Sequence, residues 1–384
     1  MNSKHLEIKN KIDKQITAEM RINFFEPQPK QVNGEVPVYM YWYPTEGVEN
    51  PNKLKQDQYE FLDSIGPGFP TVRNGFMREK VISVKNARQL GITAQPCLFK
   101  TGFALATLPV KPLIKDSLFK AFDVNQKNRS EVEALTRYTI LPAVIEQASR
   151  MVQTSLGSEL GKVTDAMVFD YTYRFSSAVA GFPSGIPAAQ AHVDFTQDSA
   201  QKRLELVRTD PDSNVEFRVF DPLSSSHSFA YLKPMNDDPV TPSTQEKFTS
   251  QSLQGDQRFL ANFNPKKTRI IMLNAWVPLS TVYARPLALC AVNSINRDRH
   301  LFNQTMYFDG RIGEVCIIQY DPQQDWYYYP HMELGEVLFL RTWDSSTNHG
   351  NWWTPHSGAI DPQELAMNTP RKSVEIRMAI AVKG

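Results

Sequence analysis

Apolar residues recur at helical spacing in one long segment of the chain, at about residues 130–156. Ser130 and Glu133 have the spacing of a capping box, in which each side chain satisfies a backbone N–H at the start of a helix. Pro142 should kink this helix, because proline removes a backbone donor, and Gly157 is a suitable residue to end it. The segment therefore predicts a long scaffold helix.

The first 125 residues show weaker periodicity. Residues 4–20 fit a short amphipathic helix. Residues 28–75 are rich in Pro, Gly, Asn and Tyr, which predicts irregular structure with short strands. We expect residues 1–125 to form an N-terminal extension that packs on the rest of the chain.

Alternation with a period of two, which is typical of strands, dominates from about residue 165 onward. A strand is predicted at 167–174 and a polar helix near 199–208. Short apolar segments then recur, with turn residues between them, at 270–277, 287–292, 314–320, 326–329, 337–343 and 371–382. Spaced strands of this kind favour a mainly β fold with flanking helices, either a jelly roll or a barrel, over alternating β–α units.

The composition is that of a globular protein with a sizeable core. Hydrophobic residues make up 41% of the 384 residues, and 42 basic residues nearly balance 41 acidic ones. This balance gives no indication of nucleic acid or an anionic membrane as a partner. Three scattered cysteines, a polar N-terminus and the lack of a long apolar segment predict a cytoplasmic protein that does not enter the membrane.

Candidate chemistry begins at the short segment His192-Val193-Asp194. In a strand, side chains two residues apart point to the same face, so His192 and Asp194 can converge on one point. His356 is the best candidate for a third ligand. Two histidines and one carboxylate form the ligand set of non-haem Fe(II) oxygenases, which leaves other positions on the metal open. By itself, His-x-Asp also fits a surface histidine beside a solvated aspartate.

The last predicted strand carries a row of polar residues. Alternation places Arg371, Ser373, Glu375 and Arg377 on one face and apolar residues on the other. A guanidinium group binds a carboxylate through two parallel hydrogen bonds, and a nearby hydroxyl can add another. This row could therefore anchor a dicarboxylic co-substrate. The alternative is a ladder of Glu375 and Arg377 at the surface of an edge strand.

Several motifs occur together in the order of one family. They are His192–Thr196 with Ala200 and Arg203, Asn274–Leu279, Arg285–Cys290, Asp325–Pro330, Glu336–Ser345, Pro355-His356 and Pro370–Arg377. On these motifs, the chain resembles the Fe(II)/2-oxoglutarate-dependent oxygenases that include the cephamycin 7-alpha-methoxylation protein, fungal gibberellin desaturase and the fumigatonoid endoperoxide-forming enzyme. The resemblance covers roughly residues 165–384.

The resemblance implies one oxygenase domain over residues 1–384. Its core at 165–384 would be a double-stranded β-helix, which is a jelly-roll or cupin-like barrel, with an insertion near 209–268. Fe(II) and 2-oxoglutarate would be the cofactors, and O2 the co-substrate. The implied metal ligands, which would also be the catalytic residues, are His192, Asp194 and His356. The implied 2-oxoglutarate anchor is Arg371 with Ser373, and Arg377 is the alternative arginine.

The expected substrate is a small-molecule natural product of secondary metabolism, oxidised by hydroxylation, desaturation or oxidative cyclisation. Leu338 and Leu340 share the smaller, uncharged face of a strand that leads toward His356, so we expect them in the pocket wall together with Trp276. Two other functions stay open, a zinc-dependent hydrolase and a non-catalytic small-molecule-binding barrel on the same fold. The oligomeric state also stays open, with a homodimer as one option.

Overall fold

The structure is a computed structural model of the chain. It describes residues 11–27, 38–41, 71–73, 75–92, 97–108, 129–157, 161–175, 187–209, 217–220, 223, 228–231, 267–308, 311–346, 354–361 and 371–384.

The strands of the described residues form two sheets, with strands numbered in chain order. The ten-stranded sheet has the spatial order β1 (Thr17–Pro27), β4 (Gly75–Asn86), β14 (Trp326–Tyr328), β11 (Leu287–Cys290), β16 (His356–Gly358), β7 (His192–Val193), β13 (Arg311–Ile318), β12 (Leu301–Phe308), β2 (Val38–Tyr41) and β3 (Thr71–Arg73). The seven-stranded sheet has the order β5 (Phe103–Thr107), β15 (Glu336–Asp344), β10 (Thr268–Pro278), β17 (Lys372–Lys383), β6 (Lys162–Phe175), β8 (Phe217–Phe220) and β9 (Ser228–Tyr231). The expected mainly β, double-sheet fold is confirmed.

The alternation of side chains in β10 explains how the layers pack. Ile271 and Leu273 belong to a core cluster that includes the long helix, whereas Ile270 and Met272 pack with residues of the ten-stranded sheet. Because both faces of β10 are covered, almost every residue in it is apolar and buried. The smaller sheet therefore lies between the helix and the larger sheet, and the two sheets face each other.

The long helix has three parts, Arg129–Leu135, a π-helical turn at Thr136–Ile140, and Leu141–Leu156. The π-helical turn lies directly before Pro142, the second residue of the last part, which has no N–H to donate to the preceding turn. The kink at Pro142 stays a prediction, and the π-helical turn is a second feature that bends helices. Gly157 ends the helix with φ 74°, as predicted, and its N–H donates to the carbonyl of Gln153.

The remaining helices are short, apart from Gln197–Thr209, which confirms the predicted polar helix. In the described residues they are residues 11–14, Cys97–Lys100, the 3-10 turn Val292–Ser294 and Arg297–His300. No helix in the described part of the chain has both the length and the apolar character needed to cross a membrane.

Strands from the N-terminal third extend both sheets. β1 and β4 pair in antiparallel fashion along their full length in the larger sheet, and β5 pairs with β15 in the smaller one. The helix expected at residues 4–20 is wrong from Thr17, where β1 begins, although residues 11–14 are helical. Of the insertion expected near 209–268, the described residues include β8 and β9, which continue the smaller sheet beyond β6. The domain boundaries stay a prediction.

Candidate active site

The two candidate histidines lie side by side in the larger sheet. His192 of β7 pairs directly with His356 of β16, and their ring centroids are 4.4 Å apart. Side chains of directly paired residues share one face of a sheet, which explains why residues so distant in the sequence meet. Asp194 follows β7, with carboxylate oxygens 3.9 Å from Nε2 of His192 and 3.6 Å from Nε2 of His356. The ligand atoms of all three residues lie within 4.8 Å of one another.

The turn after Asp194 is held by reciprocal hydrogen bonds. The backbone N–H of Thr196 donates to Oγ of Ser199 at 2.9 Å, and the N–H of Ser199 donates to Oγ1 of Thr196 at 3.1 Å. This arrangement caps the helix Gln197–Thr209 and fixes the direction of the chain directly after Asp194.

Backbone carbonyls orient both imidazole rings. Nδ1 of His192 is 2.9 Å from the carbonyl oxygen of Gln190, and Nδ1 of His356 is 3.1 Å from that of Thr354. Because a carbonyl oxygen can only accept, we assign the proton of each neutral ring to Nδ1, which leaves the lone pair on Nε2. Each Nε2 is the ring nitrogen close to Asp194, so the rings are oriented for metal binding.

The protonation state of His192 also suits a metal ligand. Burial and repulsion from His356 lower its pKa to about 4, although Asp194 acts in the opposite direction. The ring is therefore neutral near pH 7, and a neutral imidazole is the form that coordinates a metal. Two such nitrogens and one carboxylate oxygen are the donor set that suits non-haem iron.

Two residues of the opposite sheet approach the carboxylate of Asp194, and one of them donates a hydrogen bond to it. Nδ2 of Asn274 donates to its Oδ2 at 2.5 Å, and Nη2 of Arg377 lies 3.8 Å from its Oδ1. Asn274 and Arg377 are themselves cross-strand partners on β10 and β17. The smaller sheet thus positions the ligand that follows β7 in the larger sheet.

A cavity between the two sheets joins the histidines to the predicted anchor. Its lining residues are Arg174, Ala188, His192, Asn274, Trp276, Leu287, Leu340, His356, Gly358, Arg371 and Glu375. Five residues from the sequence-based prediction line it, namely two metal ligands, one anchor residue and two pocket residues. The apolar side chains Leu287 and Leu340 lie in the same wall as several ionisable groups.

Arg371 is buried in this cavity, with 2% of its surface exposed. Its Nη1 donates to the carbonyl oxygen of Arg285 at 2.7 Å, and its guanidinium carbon is 5.2 Å from the centre of the Trp276 ring. Burial and repulsion from Arg174 lower the pKa of Arg371 to about 9. The site therefore holds a cation at an energetic cost, and an incoming carboxylate would reduce that cost.

Arg377 has different surroundings, because carboxylates approach it closely. Its Nη1 donates to Asp170 at 2.6 Å, and its Nη2 is 2.5 Å from Oε1 of Glu375. Despite burial, Glu375, Asp194 and Asp170 raise its pKa. Its charge is already matched within the protein, which makes it a poor anchor for a further anion.

Four predicted residues are not among those that line the cavity in the described part of the chain, namely the ligand Asp194 and three anchor or pocket residues. Ser373 is buried, and its hydroxyl donates to the carbonyl of Arg174 at 3.2 Å. Leu338 is buried in an apolar cluster opposite Trp276 on β10, and Arg377 pairs with Glu375 and lies 3.8 Å from Asp194. Their roles as anchor and pocket residues stay predictions.

Six cavity residues were not assigned a ligand-binding role from the sequence, and three of them are polar, namely Arg174, Asn274 and Glu375. For Asn274 the signal was present, because it is the one polar residue between Ile270 and Pro278 of β10. Of the other histidines, His300 lies near Asp321 and His331 near Asp13, whereas His227 and His349 are outside the described residues.

Comparisons with known proteins show what the chain is similar to. Residues 224–381 match the sequence profile of a family described as "Oxidoreductase/YMDC permease-like domain". Over 128 residues, the chain is 27% identical to the hydroxylase/desaturase asaB of Aspergillus flavus, an alignment that covers 30% of this chain and 56% of that protein.

Two further relatives carry the same description. The hydroxylase/desaturase CTB9 of Cercospora beticola is 28% identical over 29% of this chain and 37% of its own length. The hydroxylase/desaturase efuI of Hormonema carpetanum is 27% identical over 36% of this chain and 48% of its own length. The chain thus spans about half the length of the curated relatives that it matches.

Solved structures extend the similarity to nearly the whole chain. The iron and alpha-ketoglutarate-dependent endoperoxidase NvfI superposes with a TM-score of 0.61 and 15% identity, over 96% of this chain and 99% of that one. At this identity the match establishes the fold. The resemblance to Fe(II)/2-oxoglutarate-dependent oxygenases, which the sequence motifs indicated, is confirmed at this level.

Proposed function

We propose that the protein is a non-haem Fe(II)/2-oxoglutarate-dependent oxygenase that oxidises a small-molecule natural product. The observation that carries the proposal is that one cavity is lined both by the two histidines of the candidate metal site and by a buried arginine. A zinc hydrolase or a passive binding barrel needs no dedicated site for a dicarboxylate. The similarity to hydroxylase/desaturases supports the same conclusion.

His192, Asp194 and His356 would hold Fe(II) through two Nε2 atoms and one carboxylate oxygen. When bound, iron and 2-oxoglutarate supply the chemistry that activates O2 and removes a hydrogen atom from the substrate. Gln190 and Thr354 keep the two rings oriented through their carbonyl groups, and Asn274 keeps the carboxylate in place. These contacts fix the ligands before the metal arrives, which reduces the cost of binding.

Arg371 would bind the distal carboxylate of 2-oxoglutarate. Its position is set by the carbonyl of Arg285, which adopts φ 55°, and by the ring of Trp276. A left-handed backbone conformation costs a non-glycine residue about 1 kcal/mol or more. The structure around Arg285 therefore has to hold its carbonyl in place for the bond from Arg371. Arg174 lines the same cavity and would add positive potential for the dianion.

Leu340, Leu287 and Trp276 would form the apolar part of the substrate pocket. Their side chains exclude water from the reacting centre and hold the substrate by apolar contact. Hydroxylation, desaturation and oxidative cyclisation remain the proposed outcomes, since the position of the presented carbon selects among them.

We also propose a cytoplasmic location. Cys290 and Cys316 are buried thiols, and burial raises the pKa of each to about 12, so neither is reactive. Unpaired thiols of this kind are typical of reducing compartments. A homodimer is the assembly we would examine first, because it is the commonest among soluble proteins.

The test is formation of succinate from 2-oxoglutarate by the purified, metal-free protein after addition of Fe(II) in air. We expect turnover with Fe(II), none with Zn(II), and none in His356→Ala. His300→Ala is the matched control, because His300 is a buried histidine that does not line the cavity. A folded, iron-loaded wild-type protein that forms no succinate, with candidate substrates present, would contradict the proposal.

A further inference from the structure

Glu375 is a buried carboxylate in the cavity wall that neither the metal site nor the co-substrate anchor uses. Its side chain is 13% exposed, and it lies on β17 directly opposite Trp276 of β10. Such a position is costly for a charged group unless partners compensate it. The partners of Glu375 therefore determine what this carboxylate does beside a site that would hold a divalent cation.

Two arginines and one amide contact Glu375. Its Oε1 is 2.5 Å from Nη2 of Arg377, and its Oε2 is 3.2 Å from Nε of Arg174. Its Oε1 also lies 3.4 Å from Nδ2 of Asn274, the amide nitrogen that donates to Asp194. Each residue that reaches Asp194 from the smaller sheet is thus in contact with Glu375.

Arg377 lies close to both Glu375 and Asp194, so its contact with Glu375 affects Asp194. The same nitrogen, Nη2, that is 2.5 Å from Glu375 lies 3.8 Å from Oδ1 of Asp194. At 2.5 Å the guanidinium makes a short, charge-assisted contact with Glu375, whereas 3.8 Å is beyond hydrogen-bonding distance. A small shift of the Arg377 guanidinium would replace its contact with Glu375 by a contact with Asp194.

We propose that Glu375 is a positioning residue that holds Arg377 away from Asp194 and thereby keeps the Asp194 carboxylate available to the metal. The inference rests on the proposed metal site. Without the Glu375 charge, Arg377 would close on Asp194, and a guanidinium bound there would compete directly with the divalent ion. Removal of one negative charge would also leave an excess positive charge beside the ion.

The same contacts link the metal site to the co-substrate anchor. Arg174 holds the second oxygen of Glu375 and lines the cavity near Arg371, whose pKa it lowers by repulsion. Glu375 therefore lies between the cations of the anchor and the carboxylate of the metal site. It separates a region that must attract an anion from one that must attract a cation.

The test measures binding of Mn(II) to the metal-free protein without 2-oxoglutarate, by the EPR signal of the ion left in solution. Replacement of residues that orient metal ligands typically costs about 10- to 100-fold in metal affinity. We expect Glu375→Gln to raise the Kd for Mn(II) by an amount in that range. The matched control is Glu336→Gln, which removes a carboxylate paired with Arg88 outside the cavity and should leave the Kd unchanged.

Two further variants separate competition by Arg377 from a loss of packing. In Glu375→Gln/Arg377→Met both the carboxylate and the competing cation are absent, so the Kd should return to within a few-fold of the wild-type value. Arg377→Met alone should bind Mn(II) at least as tightly as the wild-type protein, and it provides the test if Glu375→Gln does not fold. A thermal melt of each variant shows which of them are folded.

The outcomes distinguish this inference from the proposed function. If the wild-type protein binds Mn(II) and His356→Ala does not, but Glu375→Gln binds like the wild type, the role of Glu375 is wrong and the metal site stands. The role is equally wrong if the folded double variant stays as weak as Glu375→Gln, or if Arg377→Met binds more weakly than wild type. If the wild-type protein does not bind Mn(II), the metal site itself fails.

Discussion

The surroundings of Arg371 and Arg377 differ in the way their charge is compensated. Both residues belong to the polar row at the start of the last strand, six positions apart. Arg377 lies among Asp170, Glu375 and Asp194, and its pKa is raised. Arg371 lies against a carbonyl group and an indole ring, and its pKa is lowered to about 9.

The difference shows how one row of a strand can serve two purposes. Where carboxylates neutralise the guanidinium, as at Arg377, it stays in a network of ion pairs beside Asp194. Where burial and a second arginine disfavour the cation, the site gains free energy from an incoming carboxylate. The strand places both residues, and the neighbouring strands decide what each can do.

The largest loss of activity is expected when one of the three candidate metal ligands is replaced. His192→Ala, Asp194→Ala and His356→Ala should each abolish iron-dependent formation of succinate, since a site with three protein ligands has none to spare. Activity is measured on metal-loaded protein, with circular dichroism as the check on folding. Full activity in one of these variants would remove that residue from the site.

The difference between the two arginines in binding 2-oxoglutarate is tested by Arg371→Met and Arg377→Met. Loss of hydrogen bonds to a charged group costs about 1.5–3 kcal/mol, so Arg371→Met should raise the Kd for 2-oxoglutarate by about one to two decades. Arg377→Met should change this Kd much less. The Kd is obtained by anaerobic titration of the iron-loaded protein. A selective effect of Arg377→Met instead would reverse the assignment of the two arginines.

Arg174→Met should have a smaller effect on 2-oxoglutarate binding than Arg371→Met. Arg174 lines the cavity but already contacts Glu375, so part of its charge is compensated. We expect the Kd to rise by several-fold, mostly through the loss of long-range attraction. Titration at two ionic strengths measures that attraction. An effect as large as that of Arg371→Met would show that both arginines hold the carboxylate directly.

The smallest effect is expected in the apolar wall, where β15 presents Leu340 to the cavity and Phe339 to the core beside the long helix. Leu340→Val should change the ratio of oxidised products by a few-fold, because a small shift of the substrate alters which carbon is presented. Phe339→Leu is the matched control and should change stability rather than product ratio. The opposite pattern would place the other face of β15 in the pocket.

The sequence predicted the cluster of three candidate metal ligands, which the structure brings together. His192 and Asp194 have the spacing that puts them on one face, and His356 lies in a family motif. Arg174 and Glu375 were not recognised as a linked pair, since their contact joins β6 to β17 across about 200 residues of chain. Sequence spacing carries no information about such a contact.

The fold shows the same limit. Six of the eight described strands after residue 267 were predicted, because short apolar segments there are bounded by turn residues, whereas β12 and β16 were not predicted. β1 and β4 were missed, although Met20, Ile22 and Phe24 alternate with polar residues in β1. Each strand buries one face only after it pairs with the other. Charged side chains on the open face lower the strand propensity of the sequence.

We propose that iron and 2-oxoglutarate bind together in the cavity between the sheets. Its most direct test is the visible absorption spectrum of the anaerobic, metal-free protein after addition of Fe(II) and then 2-oxoglutarate. We expect a weak charge-transfer band that requires both additions, is absent in His356→Ala, and needs more 2-oxoglutarate in Arg371→Met. A folded wild-type protein that binds Fe(II) yet develops no such band at saturating 2-oxoglutarate would contradict the account.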